Sequence, residues 1–333
     1  MNVFICLSVY HILQTLVMSN DDDWIIVSSN ILANDPLSKS VKERFYNRII
    51  ETPDLSTYKQ CKFLIPYTFR KNLKCTIKTL KHTKVNNIYV FNDVTPITQY
   101  LCRNIHHDGM IILVEEGIGL YRNSHIRSPF LYQLFGKLCF GNQFHFIQRQ
   151  GTLNLVSAIM CHYPELLNNE QKTKKIIIMN ELQLDSLANS LHIKQIKGID
   201  WFIGQPLVED GIMSSNQYLN FLTKLGDLEN RLHRKFVIKP HPRENLDKYN
   251  GRKDLTILSD QEIPMELLID SRTPVNVFTF FSSAVLQLST NANIHCFLLY
   301  KMLTSYDKEM DTIFSCIQAT IPGSFEEFFK ELI

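Results

Sequence analysis

Glu115-Glu116-Gly117, Lys239-Pro240-His241-Pro242-Arg243 and Ser282-Ser283 are the stretches of this chain whose residue types move protons or hold charge. The acidic pair follows Ile111 to Val114, a β-branched run of the kind that forms a buried parallel strand. Gly117 and Gly119 let the backbone turn sharply as it leaves the sheet. A carboxylate at such a strand end suits general-base work on a substrate hydroxyl, which is too weak an acid to ionise alone. Adjacent strand residues point to opposite faces, so one of the two faces the site, and Glu116, beside the glycine, is the choice. The competing reading is that both carboxylates cap or solvate the start of a helix.

In the second stretch, Lys239 and His241 each precede a proline, which pushes both out of the α region. An imidazole and an ammonium are thereby held on a stiff segment just past the strand Phe236 to Ile238. The bland alternative is a turn with an incidental histidine. Ser282 and Ser283 end an apolar strand (Val275 to Phe281) and open a helix, where hydroxyls and unpaired N–H groups suit a phosphate. Gln205, in the Gly204-Gln205-Pro206-Leu207 turn, offers an amide at a third strand end.

The elements that must position these groups alternate as strand and helix. Val3 to Ser8, Trp24 to Ser29, Lys62 to Pro66, Ile88 to Phe91 and Met110 to Val114 read as strands. Tyr10 to Met18, Leu37 to Glu51, Phe69 to His82, Thr95 to Asn104, Ser128 to Phe140 and Leu153 to Leu167 read as helices. The second half repeats the pattern, with strands at Ile176 to Met179, Trp201 to Ile203 and Phe236 to Ile238. It also carries a helix from a Ser214/Gln217 capping box to about Arg234, and a closing helix with Phe325, Phe328, Phe329 and Leu332 on one face. Such alternation implies an α/β fold of parallel sheets with helices on both faces. The charged run Asn168 to Lys175 draws the domain boundary near it, giving domains 1–155 and 156–333.

A chain of 333 residues is long enough for two such domains. A net charge of +2 and a pI near 8.0 give no global pull toward nucleic acid. The eight cysteines are scattered, without a C-x-x-C, as in reduced thiols of a cytoplasmic protein. The apolar start at Val3 to Cys6 lacks a basic leader and meets Ser19 to Asp23 too soon to span a membrane. Asp21-Asp22-Asp23 resembles a metal-binding D-x-D, but it precedes a strand, at the edge away from the expected site.

The ordered trio Glu115-Glu116-Gly117, His241-Pro242 and Ser282-Ser283, with GQPL at 204–207, resembles the bacterial GT-B sialyltransferases, the lipooligosaccharide and capsule enzymes and their polysialyltransferase relatives. The resemblance spans most of the chain. It implies two Rossmann-like domains facing each other across a cleft. It also implies metal-independent, cofactor-free, inverting transfer of sialic acid from CMP-sialic acid to an oligosaccharide or glycolipid acceptor of the bacterial surface. By the same match, Glu116 is the general base and His241 protonates or hydrogen-bonds the departing phosphate. Ser282 and Ser283 cradle that phosphate, with Gly204, Gln205, Lys239 and Pro242 near the nucleotide. Alternatives are a GT-B transferase using CMP-Kdo, another nonulosonate, a UDP-hexose or a CDP-alditol, and a non-catalytic glycan- or nucleotide-binding protein.

Glu209-Asp210-Gly211 is a second acidic-acidic-Gly match and reads as a connecting loop. His106-His107-Asp108 reads as a helix end, and His11, after the first strand, as a residue within reach of the acceptor. Lys71, Lys74, Lys78 and Lys81 form a basic stripe on one helix. That stripe is either an ordinary solvated face or a peripheral contact with an anionic membrane, on the inner face of the cell membrane.

Overall fold

The computed structural model describes residues 1–28, 31–32, 36–52, 65–123, 129–182, 184–252, 254–258, 261 and 263–333. The chain divides into two compact units, Met1–Leu182 and Gln183–Ile333.

In the first unit the strands are β1 (Val3–Cys6), β2 (Trp24–Ser28), β3 (Ile49–Thr52), β4 (Ile88–Val90), β5 (Ile111–Val114), β6 (Ala158–Cys161) and β7 (Lys175–Ile178). They form one sheet in the order β3-β2-β1-β4-β5-β6-β7, parallel at every pairing. Helices α1 (Val9–Met18), α2 (Pro36–Arg44), α3 (Ile65–Thr79), α4 (Pro96–Asn104) and α5 (Pro129–Phe140) complete the unit. Strands β1 and β5 are buried along their whole length, which is why they read as continuous apolar runs rather than as alternating patterns.

The second unit opens with α6 (Leu184–Ser190), β8 (Asp200–Ile203), α7 (Ser215–Leu232), β9 (Phe236–Lys239) and β10 (Thr256–Ile257). It continues with β11 (Val275–Thr279), α8 (Ala284–Leu288), β12 (Ile294–Leu298), α9 (Glu309–Phe314), β13 (Ala319–Thr320) and α10 (Phe325–Leu332). Its parallel sheet runs β10-β9-β8-β11-β12-β13. Phe278 of β11 meets Phe236, Phe297 and Phe328 edge-to-face, so α10 packs on this sheet through Phe328. The expected capping box of α7 is present, with Ser214 and Gln217 satisfying each other's backbone N–H groups.

Both sheets share the dinucleotide-fold order, which reverses direction between β1 and β4 and between β8 and β11. Ligands of such sheets bind at the C-terminal edge beside that reversal.

Several expectations are corrected. The boundary lies at Leu182 rather than residue 155, because β6 pairs with β5 and β7 with β6, so Ile176 belongs to the first sheet. The charged run before β7 is a crossover, not a linker. The helix expected over Leu153 to Leu167 is replaced by β6, a four-residue apolar run whose periodicity fits either structure. The helix expected over Leu37 to Glu51 stops at Arg44, and the β-branched Ile49-Ile50 begin β3. Helix α3 starts at Ile65, not Phe69, and so includes Pro66, which had been placed in a strand. Ser29, Lys62 to Leu64 and Ser128, assigned to element ends, lie outside the described residues. No helix among the described residues is long and apolar enough to cross a membrane. The seven described cysteines are free, and burial pushes the Cys6 and Cys296 thiols up to about 12.

Candidate active site

The alternation beyond β5 separates the acidic pair. Glu115 turns inward, with its side chain 3 % exposed, and is tied down by the Tyr121 hydroxyl and by the backbone N–H (2.8 Å) and Nδ1 (3.2 Å) of His162. Glu116 turns the other way and keeps 23 % of its side chain exposed. Gly117 follows at φ 139°, a region that side chains with a Cβ rarely enter, and the chain then closes into a tight turn at Ile118–Leu120.

Three donors converge on Glu116. His11 Nε2 lies 2.6 Å from Oε2, while Asn92 Nδ2 (2.9 Å) and Gln150 Nε2 (2.7 Å) both reach Oε1. His11 sits in the first turn of α1, buried, stacked on Phe91 with ring centres 4.6 Å apart. The Leu7 N–H donates to its Nδ1 at 2.9 Å, so Nε2 carries the proton and donates to Glu116. Asn92, just past β4, accepts from the Val94 N–H through Oδ1, which aims its NH₂ at the carboxylate. Burial raises the Glu116 pKa, but the hydrogen bonds from His11, Gln150 and Asn92 outweigh it and hold the carboxyl below its ordinary value. Glu116 is therefore ionised at neutral pH. A carboxylate offers about four acceptor positions. Oε1 has both of its own filled and Oε2 one, which leaves room for a single incoming hydroxyl on Oε2.

Gln150 arrives from a loop held by buried Asp93, whose two oxygens accept the Gly151 N–H at 3.1 and 3.0 Å. Burial pushes Asp93 up to about 6. Because this value is raised, the stabilisation contributed by the protonated acid is complete below the unfolded value of about 3.8 and is lost as pH rises through about 6. Asp93→Asn should remove that dependence. The stability of the native protein relative to the variant should then grow by roughly 1.4 kcal/mol between pH 7.5 and 5 in denaturant titrations, and a flat difference would contradict the assignment.

In the second unit the three remaining motifs lie at the C-terminal ends of the neighbouring strands β9, β8 and β11. His241 is half-buried, and its own N–H donates to Glu244, which also accepts from the Tyr218 (3.2 Å) and Tyr249 (3.0 Å) hydroxyls and pairs with Lys248 (2.7 Å). This buried carboxylate is the anchor of the His-Pro turn. The Arg243 N–H donates to His241 Nδ1 at 3.0 Å, so the neutral ring keeps its proton on Nε2. Burial, then the Arg243 charge, lower the His241 pKa against the opposing pull of Asp210. At neutral pH the ring is therefore a neutral Nε2–H donor, the hydrogen-bonding one of the two roles the resemblance implies for it.

Gly204 and Gln205 build this edge. A Cβ on Gly204 would run into the Glu244 carboxylate and come within 3.1 Å of the Pro240 Cα. Gly204→Ala should therefore displace the His-Pro turn and cost about 1–3 kcal/mol of stability, read as a lowered unfolding midpoint with loss of activity. Gln205 Oε1 accepts from the Phe281 N–H (2.8 Å) and the Thr279 hydroxyl (3.1 Å), bracing the loop that carries the serines. Lys239 is buried, with its charge acting on Glu266 and His241. Pro242 and Ser283 are exposed, and Ser282 Oγ accepts from the Ala284 N–H at 3.3 Å. Helix α8 has no side-chain cap, so the Ser283 hydroxyl does not close its N-terminus.

Glu209 and Asp210 brace the same turn from outside, Asp210 gripping Arg243 through two 3.0 Å contacts and Glu209 accepting from the Asn245 N–H at 2.8 Å. Their expected role as a connecting loop suits this geometry. Asp21 and Asp23 are engaged by Arg44 and by the Asn2 and Asn20 N–H groups, before β2. Among the described residues no three His, Cys, Asp or Glu side chains gather as metal ligands. Sequence reasoning placed His11 against an acceptor, whereas it lies buried behind Glu116. It missed Asn92, Asp93 and Gln150. Asn92 was open to discovery as the residue just past a strand end; Gln150, on a loop 34 residues beyond Glu116, left no local signal.

A profile of the alpha-2,8-polysialyltransferase family matches residues 2–301. No curated protein matches the chain. Among solved structures it is similar to the UDP-GlcNAc 2-epimerase of Methanocaldococcus jannaschii, with TM-score 0.53, 14 % identity, and 100 % of this chain and 92 % of that one covered. It is also similar to a sialyltransferase from Photobacterium damsela (TM-score 0.51, 10 % identity, 96 % and 81 % covered). A third is Arabidopsis thaliana UGT89C1 complexed with UDP (TM-score 0.50, 11 % identity, 99 % and 89 % covered). At such identities these likenesses establish the fold, which is of the GT-B type. The family match over nine-tenths of its length makes this chain a glycosyltransferase of the alpha-2,8-polysialyltransferase family.

Proposed function

We propose that the protein transfers sialic acid from CMP-sialic acid to a sugar hydroxyl of a bacterial surface glycan, by a single inverting displacement without a metal. The observation that carries this reading is the one open acceptor position on an ionised, part-exposed Glu116, in a chain whose family is named for sialyl transfer. The incoming hydroxyl donates to Oε2. As its oxygen bonds to the anomeric carbon its acidity rises steeply, so a carboxylate of low basicity suffices to take the proton. His11, Asn92 and Gln150 keep the carboxylate aimed while its charge changes.

The sugar develops oxocarbenium character as negative charge collects on the departing CMP phosphate. His241 meets that charge with its Nε2–H, and Ser282 and Ser283 add hydroxyl donors, so protein groups do the work that a divalent ion does elsewhere. The family's name further suggests that the hydroxyl is carried by a sialic acid already at the glycan's end.

The test is a donor panel of CMP-sialic acid, CMP-Kdo, UDP-glucose and UDP-galactose with a sialylated oligosaccharide, read as free nucleotide and extended product. CMP release from the sialyl donor alone, unaffected by a chelator and giving a product of inverted anomeric configuration, is the expected result. Turnover of a UDP-hexose in its place would overturn the reading, as would tight CMP binding without turnover of any donor.

A further inference from the structure

Helix α5 is apolar on two sides. Gly136, Cys139 and Phe140 pack inward. Phe130, Leu131, Leu134, Phe135 and Leu138 project outward, Phe130 being 73 % and Leu138 66 % exposed. At about 100° per residue these five positions occupy an arc of roughly 140°, a continuous outer face rather than scattered exposed side chains.

Helix α3 packs directly against α5. Its inner positions Leu73 and Thr76 are buried, and Lys71, Lys74 and Lys78 are exposed, with Lys81 continuing the row just beyond its end. Lys74 shares a shallow depression with Phe140 and Gly141 at the end of α5, so the basic row lies next to the C-terminal end of that helix. Neither helix contains a carboxylate, and among the described residues none pairs with these four lysines. A protein interface is depleted in lysine and favours arginine; here the cations are lysines, on a helix packed against one with an exposed Phe/Leu face. That combination matches the interface of a negatively charged bilayer, where apolar side chains sink below the headgroups and ammonium groups stay among them.

We propose that α3 and α5 together form a docking surface for an anionic lipid bilayer, α5 entering the headgroup boundary and α3 contacting phosphates. This holds whether or not the transferase reading does. Where that reading holds, the unit carrying Glu116 is kept where a lipid-borne glycan is displayed.

The test is flotation of the purified full chain with vesicles of phosphatidylethanolamine and phosphatidylglycerol, against vesicles of phosphatidylcholine alone. Binding to the anionic vesicles only, weakening as salt is raised, is expected. Lys71→Glu, Lys74→Glu, Lys78→Glu and Lys81→Glu combined should abolish it, since each lysine contributes roughly fivefold. Leu134→Gln with Leu138→Gln should lower it at least about tenfold at unchanged charge. Both sets alter exposed positions, so unfolding midpoints should match the native protein. Equal binding to both vesicle types, or binding that survives both sets, would overturn the proposal. So would a Leu134/Leu138 variant that dissolves a dimer in light scattering while vesicle binding is absent, which would assign the face to a second copy of the chain.

Discussion

Glu116→Gln is expected to lower the rate of sialyl transfer by about 10²–10⁴-fold at neutral pH, the usual contribution of a positioned general base. The substitution keeps the shape of the side chain but removes the charge, and it sets an NH₂ against at least one of the three donors from His11, Asn92 and Gln150. Binding of CMP should be unchanged, because the groups assigned to the nucleotide belong to the other unit. Asp210→Asn is the matched control: its carboxylate grips Arg243, so transfer should change by no more than a few-fold. A reversal of these outcomes would move the base to Asp210. The native enzyme's pH profile carries the same assignment. Because the Glu116 pKa is lowered in the folded protein, its ionised form persists as pH falls, and the acid limb it sets should lie below the ordinary carboxylate value of about 4.3. The sign for stability agrees: the contribution is present above the unfolded value and is lost as pH drops through the folded one.

His241→Ala should reduce kcat by about 10²–10³-fold, as removal of one preorganised donor to a developing anion does. The separating variant is His241→Gln. If the ring acts as a neutral Nε2–H donor, an amide N–H placed nearby should restore part of the rate; if it acts as a proton donor, glutamine should be as poor as alanine. The tautomer set by the Arg243 N–H and the lowered pKa both favour partial rescue. The chemical step should also hold its rate from pH 7 to 8, since no imidazolium is being lost over that interval. A fall in rate across that range, with no rescue by glutamine, would assign a proton-donating imidazolium instead.

Much of this was legible in the chain before folding. Parallel strands buried on both faces declare themselves as apolar runs, so Ile111 to Val114 and Phe236 to Ile238 were placed within a residue of their observed limits. Strand β6 was mistaken for helix and β12 went unseen, because short apolar segments carry no period that separates the two. Glu116, His241 and the Ser282-Ser283 pair were legible as strand-end residues because each lies within four positions of the C-terminal end of such a strand, the edge at which ligands of parallel sheets bind.

By itself, then, the sequence determined the α/β class, the order of the chemical motifs and which of two adjacent carboxylates faces outward, all properties set by residues near one another along the chain. The tertiary structure alone decided that Glu116 is held by His11, Asn92 and Gln150, that Glu244 anchors the His-Pro turn, and that both histidines carry their proton on Nε2. The bonds to Glu116 join segments that only the sheet order brings together; those of Glu244 and of the two imidazoles are local, but they form in turns beyond the strand ends, whose geometry and burial a linear pattern does not record.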